Sequence, residues 1–111
     1  MLVVEPSELT FHKKIIAEIG KSIPSVELLT VRNLYSKPVL WRLGHEIHTA
    51  EVFFAKPTEG VIENDKDIKI RFSFNPTAKG TFRLRLPLEV YDEQRQEYTK
   101  FTDVRLEGEG D

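Results

Sequence analysis

The chain has 111 residues, with 16 Lys and Arg against 18 Asp and Glu, a length that suits one domain. A hydrophobic fraction of 40% and a charged fraction of 31% describe a folding chain. The near-neutral balance argues against a dedicated nucleic-acid binder, and no apolar run reaches the roughly 18 residues that cross a bilayer. The sequence opens without a basic-then-apolar stretch, so no signal peptide is expected. With no Cys, the fold has neither disulfides nor thiolate metal sites, as suits a cytoplasmic protein.

The elements follow in chain order. Met1 to Glu5 reads as a first edge strand that stops at Pro6. In the next segment Leu9 and Phe11 alternate. Phe11, Ile15, Ile16 and Ile19 also fit a helical face, with Ser7 as N-cap and Gly20 as C-cap. The strand reading is preferred there because every other segment is β. Val26 to Arg32 is rich in Val, Leu and Thr and ends at Asn33, a residue suited to left-handed turns and to bonding nearby backbone. Val39 to Leu43 follows Lys37-Pro38 and puts Val39, Trp41 and Leu43 on one face. Val52 to Ala55 is a short strand before Pro57.

The strongest signal lies further on. Ile68, Ile70, Phe72 and Phe74 alternate with polar residues, and so do Phe82, Leu84, Leu86, Leu88 and Val90. Side chains of a strand point alternately to its two faces, so each segment is a half-buried strand. The polar stretch Asn75 to Gly80 separates them. Pro87 lacks an N–H, which predicts a bulge or an unpaired position at that residue. Thr99 to Glu107 closes the series, with Val104 and Leu106 on one face. About seven short strands separated by turn residues are the pattern of a β-sandwich or small barrel. Gly20, Gly60 and Gly80 fall where strands reverse and positive φ is cheap.

An ordered set of residues resembles the ASH domain, of the major sperm protein and PapD-like branch of immunoglobulin-like sandwiches. The set runs Pro6, Leu9-Thr10-Phe11, Gly20, Leu29 to Asn33, Pro38 to Leu43, Phe54, Pro57, Gly60-Val61-Ile62, Phe74-Asn75-Pro76, Gly80, and Leu106-Glu107-Gly108. Phe11 to Gly20 is longer than the family's spacing, and Gly44 to Glu51 inserts a loop bearing two His. The resemblance implies an all-β, seven-stranded immunoglobulin-like sandwich over residues 1–111, a single module of a longer protein. Phe11, Trp41, Phe54, Phe72, Phe74 and Phe82 would form its core. ASH domains occur in hydin and other ciliary and centrosomal proteins. The resemblance therefore implies a non-catalytic scaffold module of a cilium, flagellum or centrosome, with cytoskeletal or ciliary proteins or neighbouring domains as partners. A peptide-binding adaptor domain like those of the major sperm protein family, taking acidic motifs, and a bacterial surface or periplasmic module are the alternatives. No nucleic acid, membrane insertion or cofactor is expected.

Candidate chemistry is sparse. His45-Glu46-Ile47-His48 is the sole cluster of metal-ligand types, but its spacing is not His-Glu-x-x-His and a third strong ligand is missing. It reads as a solvated loop that binds no metal. The run Glu63 to Asp67 lacks the acidic spacing of a calcium loop, and no Gly-x-Ser-x-Gly elbow exists. No enzyme is expected. In the immunoglobulin arrangement the strands 38–43 and 81–91 are neighbours. Arg42, Arg83, Arg85 and Arg105 would then share one outer face. That face is either solvated and balanced by Glu89, Asp103 and Glu107, or a docking patch for an acidic partner.

Overall fold

The computed structural model describes residues 1–11 and 25–111. The helix-or-strand question at Ile15 to Ile19, and Gly20, lie outside them. Nine strands and one helical turn are present among the described residues. In chain order they are β1 (Leu2–Glu5), β2 (Glu8–Thr10), β3 (Ser25–Asn33), β4 (Val39–Leu43), α1 (Glu46–Thr49), β5 (Phe53–Lys56), β6 (Glu59–Ile62), β7 (Asp67–Phe74), β8 (Gly80–Asp92) and β9 (Glu97–Gly110). They build two sheets, ordered β1-β3-β7-β5 and β2-β9-β8-β4-β6. All pairings are antiparallel except β2 with β9.

The fold is the expected sandwich with nine strands instead of seven. β2, of three residues, falls at Leu9, in the segment read as strand; the strand not expected is β6, whose four residues are too short for alternation to be legible. Glu59-Gly60-Val61-Ile62 becomes a strand only because β4 pairs with it over Val39 to Arg42.

The inward faces meet around Leu29, Trp41, Ile70, Phe72, Phe74 and Leu86, each at most 1% exposed. Phe11 is also buried, and the rings of Phe11, Phe53, Phe74 and Phe82 touch in sequence across both sheets at centroid distances of 5.2–6.0 Å. Phe82 is only half-buried, on the margin of the core. Phe54 is not a core residue. It is 49% exposed, because alternation along β5 turns Phe53 inward and Phe54 outward.

Two motifs gain a physical meaning. In Leu106-Glu107-Gly108, Leu106 is buried, and a Cβ on Gly108 would stand 2.6 Å from the Phe74 ring. Phe74 thus packs directly on backbone that only glycine leaves open. In Phe74-Asn75-Pro76, the Asn75 N–H donates to the Val52 carbonyl at 2.8 Å, tying the end of β7 to the start of β5. Of the reversal glycines, Gly80 has φ +136, whereas Gly60 has an ordinary φ and sits inside β6 opposite Trp41.

Pro87 stays in register with Asp103, and the bulge lies between Leu88 and Glu89, where Phe101 is the extra residue on β9. The Gly44 N–H donates to the Pro87 carbonyl at 2.8 Å. A strand residue aims its N–H and C=O at the same neighbour, so the donor that proline lacks faces β4. The β4–β8 pairing has already ended at Leu43 and Leu88, and the β8–β9 ladder loses nothing.

Asn33 is the sole buried polar residue among those described. Its Nδ2 donates to the Lys37 and Ile62 carbonyls at 2.9 Å, and its Oδ1 accepts from the Tyr35 N–H at 2.8 Å. It therefore sits in extended backbone at the end of β3, not in a left-handed turn, and links the four-stranded sheet to β6 of the other.

Two predictions follow from packing and polar satisfaction. Gly108→Ala forces the Phe74 ring to move and lowers stability by about 1–3 kcal/mol. Gly60→Ala, whose Cβ meets Trp41 at 3.5 Å, is tolerated. Urea unfolding of both variants reads the contrast, and equal midpoints would contradict it. Asn33→Ala strands two carbonyls and an N–H and costs roughly 1–3 kcal/mol. Asn33→Asp puts a carboxylate against those carbonyls, which raises its folded-state pKa above the unfolded value. Its native state is then favoured below pH 4 and loses stability as pH rises, a trend that thermal melts at pH 4 and pH 7 detect.

Candidate outer-face interface

Alternation and register decide what the outer face of the five-stranded sheet presents. On β8, Leu86 and Leu88 are buried, so Arg83, Arg85 and Glu89 point outward. On β4, buried Trp41 and Leu43 leave Leu40 and Arg42 outward; on β9, buried Val104 and Leu106 do the same for Asp103, Arg105 and Glu107. β4 and β8 are neighbours, with Arg42 opposite Glu89. The four arginines therefore occupy one face.

They are not equivalent. The Arg42 Nε meets Glu89 Oε1 at 2.9 Å, and its guanidinium lies 4.0 Å over the ring of Tyr98. Arg83 pairs with Glu107 at 3.0 Å, and Arg105 with Glu8 at 3.2 Å. Asp103 is engaged by Lys100 at 3.4 Å. Arg85 has no carboxylate partner among the described residues, and it stands directly across from Arg105. Like charges in opposed strand positions repel. With Arg105 held by Glu8, the uncompensated potential of the face is concentrated at Arg85, beside a hollow of about 260 Å³ bounded by Thr10, Arg83, Leu84 and Leu106.

Alternation alone did not reveal the aromatic part of this face. Tyr91 and Tyr98 oppose each other at the base of the β8–β9 turn, edge to face at 5.4 Å. Asp92 Oδ1 accepts from the Gln94 N–H at 2.9 Å and closes that turn. The signal was present as two Tyr flanking the polar run Asp92 to Glu97. Beyond them Leu40 and Val61 are a cross-strand pair, 43% and 48% exposed. A second hollow, of about 370 Å³, lies between Tyr35, Pro38 and Leu40 on one side and Tyr91, Thr99 and Phe101 on the other.

The His-bearing loop is a helical turn and not an open loop. His45 caps α1 without a side-chain bond, and Ile47 is pinned inward at 5% exposure. His45 and His48 are exposed and border a polar hollow of about 400 Å³ with Arg42, Thr58, Glu59 and Glu89. Among the described residues no three His, Asp or Glu side chains converge on one point.

With this geometry in place, known structures can be compared. The ASH/PapD-like domain of human CEP192 (its PapD-like domain 7) superposes with a TM-score of 0.78 at 16% identity, over 99% of this chain and 84% of that one. The fold is that of the ASH and PapD-like domains. A Caenorhabditis elegans member of the major sperm protein family, WR4, matches with a TM-score of 0.62 at 7% identity over 100% of this chain and 98% of its own. The E. coli chaperone DraB matches with a TM-score of 0.66 at 12% identity, and this chain spans 55% of its length. No protein-family model and no curated protein matches the sequence. No helix among the described residues is long and apolar enough to cross a membrane.

The Arg85–Arg105 repulsion has a measurable consequence. Arg85→Glu, by placing opposite charges across the β8–β9 ladder, stabilises the domain by roughly 0.5 kcal/mol. Its urea midpoint rises at low salt and returns toward that of the parent at 1 M salt.

Proposed function

We propose that this ASH/PapD-like domain is a non-catalytic protein-interaction module within a longer scaffold protein. The observation that carries the reading is the match to the CEP192 domain over 99% of the chain. PapD-like and major sperm protein folds present sheet faces and edges on which other polypeptides dock. The docking face is the outer surface holding Arg42, Arg83, Arg85 and Arg105. Within it Arg85 is the anchor, since its repulsion with Arg105 is relieved by a partner's carboxylate. Arg42, Arg83 and Arg105, already paired, hold the sheet's charge ladder in register. By family resemblance the scaffold belongs to a cilium, flagellum or centrosome.

Arg85, without a carboxylate partner among the described residues, favours a second form of the same reading, an adaptor that captures acidic motifs in the manner of the major sperm protein domains. Both forms rest on exposed charges, so binding on this face loses affinity steeply between 0.05 and 0.5 M salt; an affinity unchanged by salt would remove the arginine face from either form.

Proximity labelling in ciliated cells tests the function. A tagged full-length protein is expected to label centrosomal or axonemal proteins, and Arg83→Glu/Arg85→Glu is expected to lose the partners that dock on this domain while the protein stays folded. A diffuse distribution would remove the ciliary assignment. A labelled set unchanged by the double substitution would remove the arginine face.

A further inference from the structure

The opposite side of the sandwich carries a patch of different construction. On the outer face of the four-stranded sheet, Lys56 of β5 lies directly opposite Arg71 of β7. Lys69 follows two residues from Arg71 on the same face, opposite Thr30. All three cations are exposed, and none has an ion-pair partner among the described residues. Two large apolar side chains flank them. Leu28, opposite Arg71, is 50% exposed, and Phe54, two residues from Lys56, is 49% exposed. The carboxylates of this face stand beside Lys69 and away from the Lys56–Arg71 pair. Asp67, opposite Arg32, is two residues from Lys69 and four from Arg71, and Glu5 is opposite Thr30 on β1, two strand spacings from Lys69, or roughly 10 Å.

We propose that this face is a second docking surface, and that its occupant is an acidic protein segment carrying a large apolar side chain. Charge complementarity selects the acidic character. Opposed Lys56 and Arg71 repel, and carboxylates laid between them and Lys69 replace that repulsion with attraction. The exposed Phe54 and Leu28 select the apolar residue, because burying them removes apolar area from water. The net charge of −2 opposes the alternatives. A nucleic acid or an anionic bilayer extends far beyond three cations and meets the repulsion of the rest of the chain. This surface lies on the sheet opposite the arginine face. The inference does not depend on the arginine face being used.

The test titrates a fluorescein-labelled twelve-residue peptide of alternating Glu with Phe and Leu into the full chain at 0.05 M salt. Binding is followed by anisotropy and mapped by amide chemical shifts. Shifts are expected on β5, β7 and the Leu28 region of β3. Lys56→Glu/Arg71→Glu is expected to weaken binding at least about tenfold, and Arg83→Glu/Arg85→Glu to leave it unchanged. A peptide with Gln in place of Glu is expected not to bind. Both double variants alter exposed positions, and their thermal melts verify folding. The proposal is overturned if the acidic peptide fails to bind at millimolar concentration, or if Lys56→Glu/Arg71→Glu binds as the parent does. Tighter binding of phosphatidylserine vesicles or of a twelve-nucleotide single strand, lost in the same variant, overturns the acidic-segment assignment. Shifts confined to β8 and β9 would reject this surface and leave the arginine face standing.

Discussion

No disulfide cross-links the two sheets, since the chain has no Cys. Their separation and angle rest on how the inward rows interlock. The decisive contact is the Phe74 ring against the Gly108 backbone. Phe74 also touches Phe11, Phe53 and Phe82, so one ring engages β5, β8, β9 and the segment after β2. Close packing of this kind leaves little freedom to slide one sheet over the other. Asn33 adds a polar clamp at the other end, bonding across the sandwich to Ile62. An aromatic cluster at one end and a satisfied amide at the other define the register of the whole.

Once that register is set, the outer faces are determined residue by residue. A strand that buries Leu86 and Leu88 must expose Arg85 and Glu89. What differs between the faces is compensation. On the five-stranded sheet, carboxylates from β2, β8 and β9 meet Arg105, Arg42 and Arg83, leaving Arg85 without one among the described residues. On the four-stranded sheet, Lys56 and Arg71 oppose each other with Lys69 next along β7, and the carboxylates Asp67 and Glu5 lie on the side of Lys69 away from that pair. The first face resembles a charge ladder with a single gap. The second is a compact basic patch with apolar neighbours, the composition of a surface built for a partner.

Local sequence carried some of this and not the rest. The strands at residues 68–74 and 82–90 were legible because their alternation is strict, and burial follows it from Ile70 to Phe74. The outward direction of Arg42, Arg83, Arg85 and Arg105 followed from the same rule. Phe54 misled because hydrophobicity says what a side chain favours, whereas the parity of β5 decides where it points. At Pro87 the expected irregularity takes a particular form: the pairing with β4 ends at Leu88, so the missing donor faces a position outside the ladder, and the bulge falls one step on, between Leu88 and Glu89. The basic patch went unread because Lys56 and Arg71 are 15 positions apart and meet only through the β5–β7 pairing.

The sequence by itself determined the fold class, the alternating faces of the long strands, and the membership of most of the aromatic core. These properties depend on periods of two and on residue chemistry, which are local. Tertiary structure alone decided that β6 exists as a strand, that β2 runs parallel to β9, that Gly108 is the seat of Phe74, and which arginines find carboxylates. Each of these is a matter of which distant segment lies alongside, and cross-strand register is a property of pairs of strands that neither partner encodes alone.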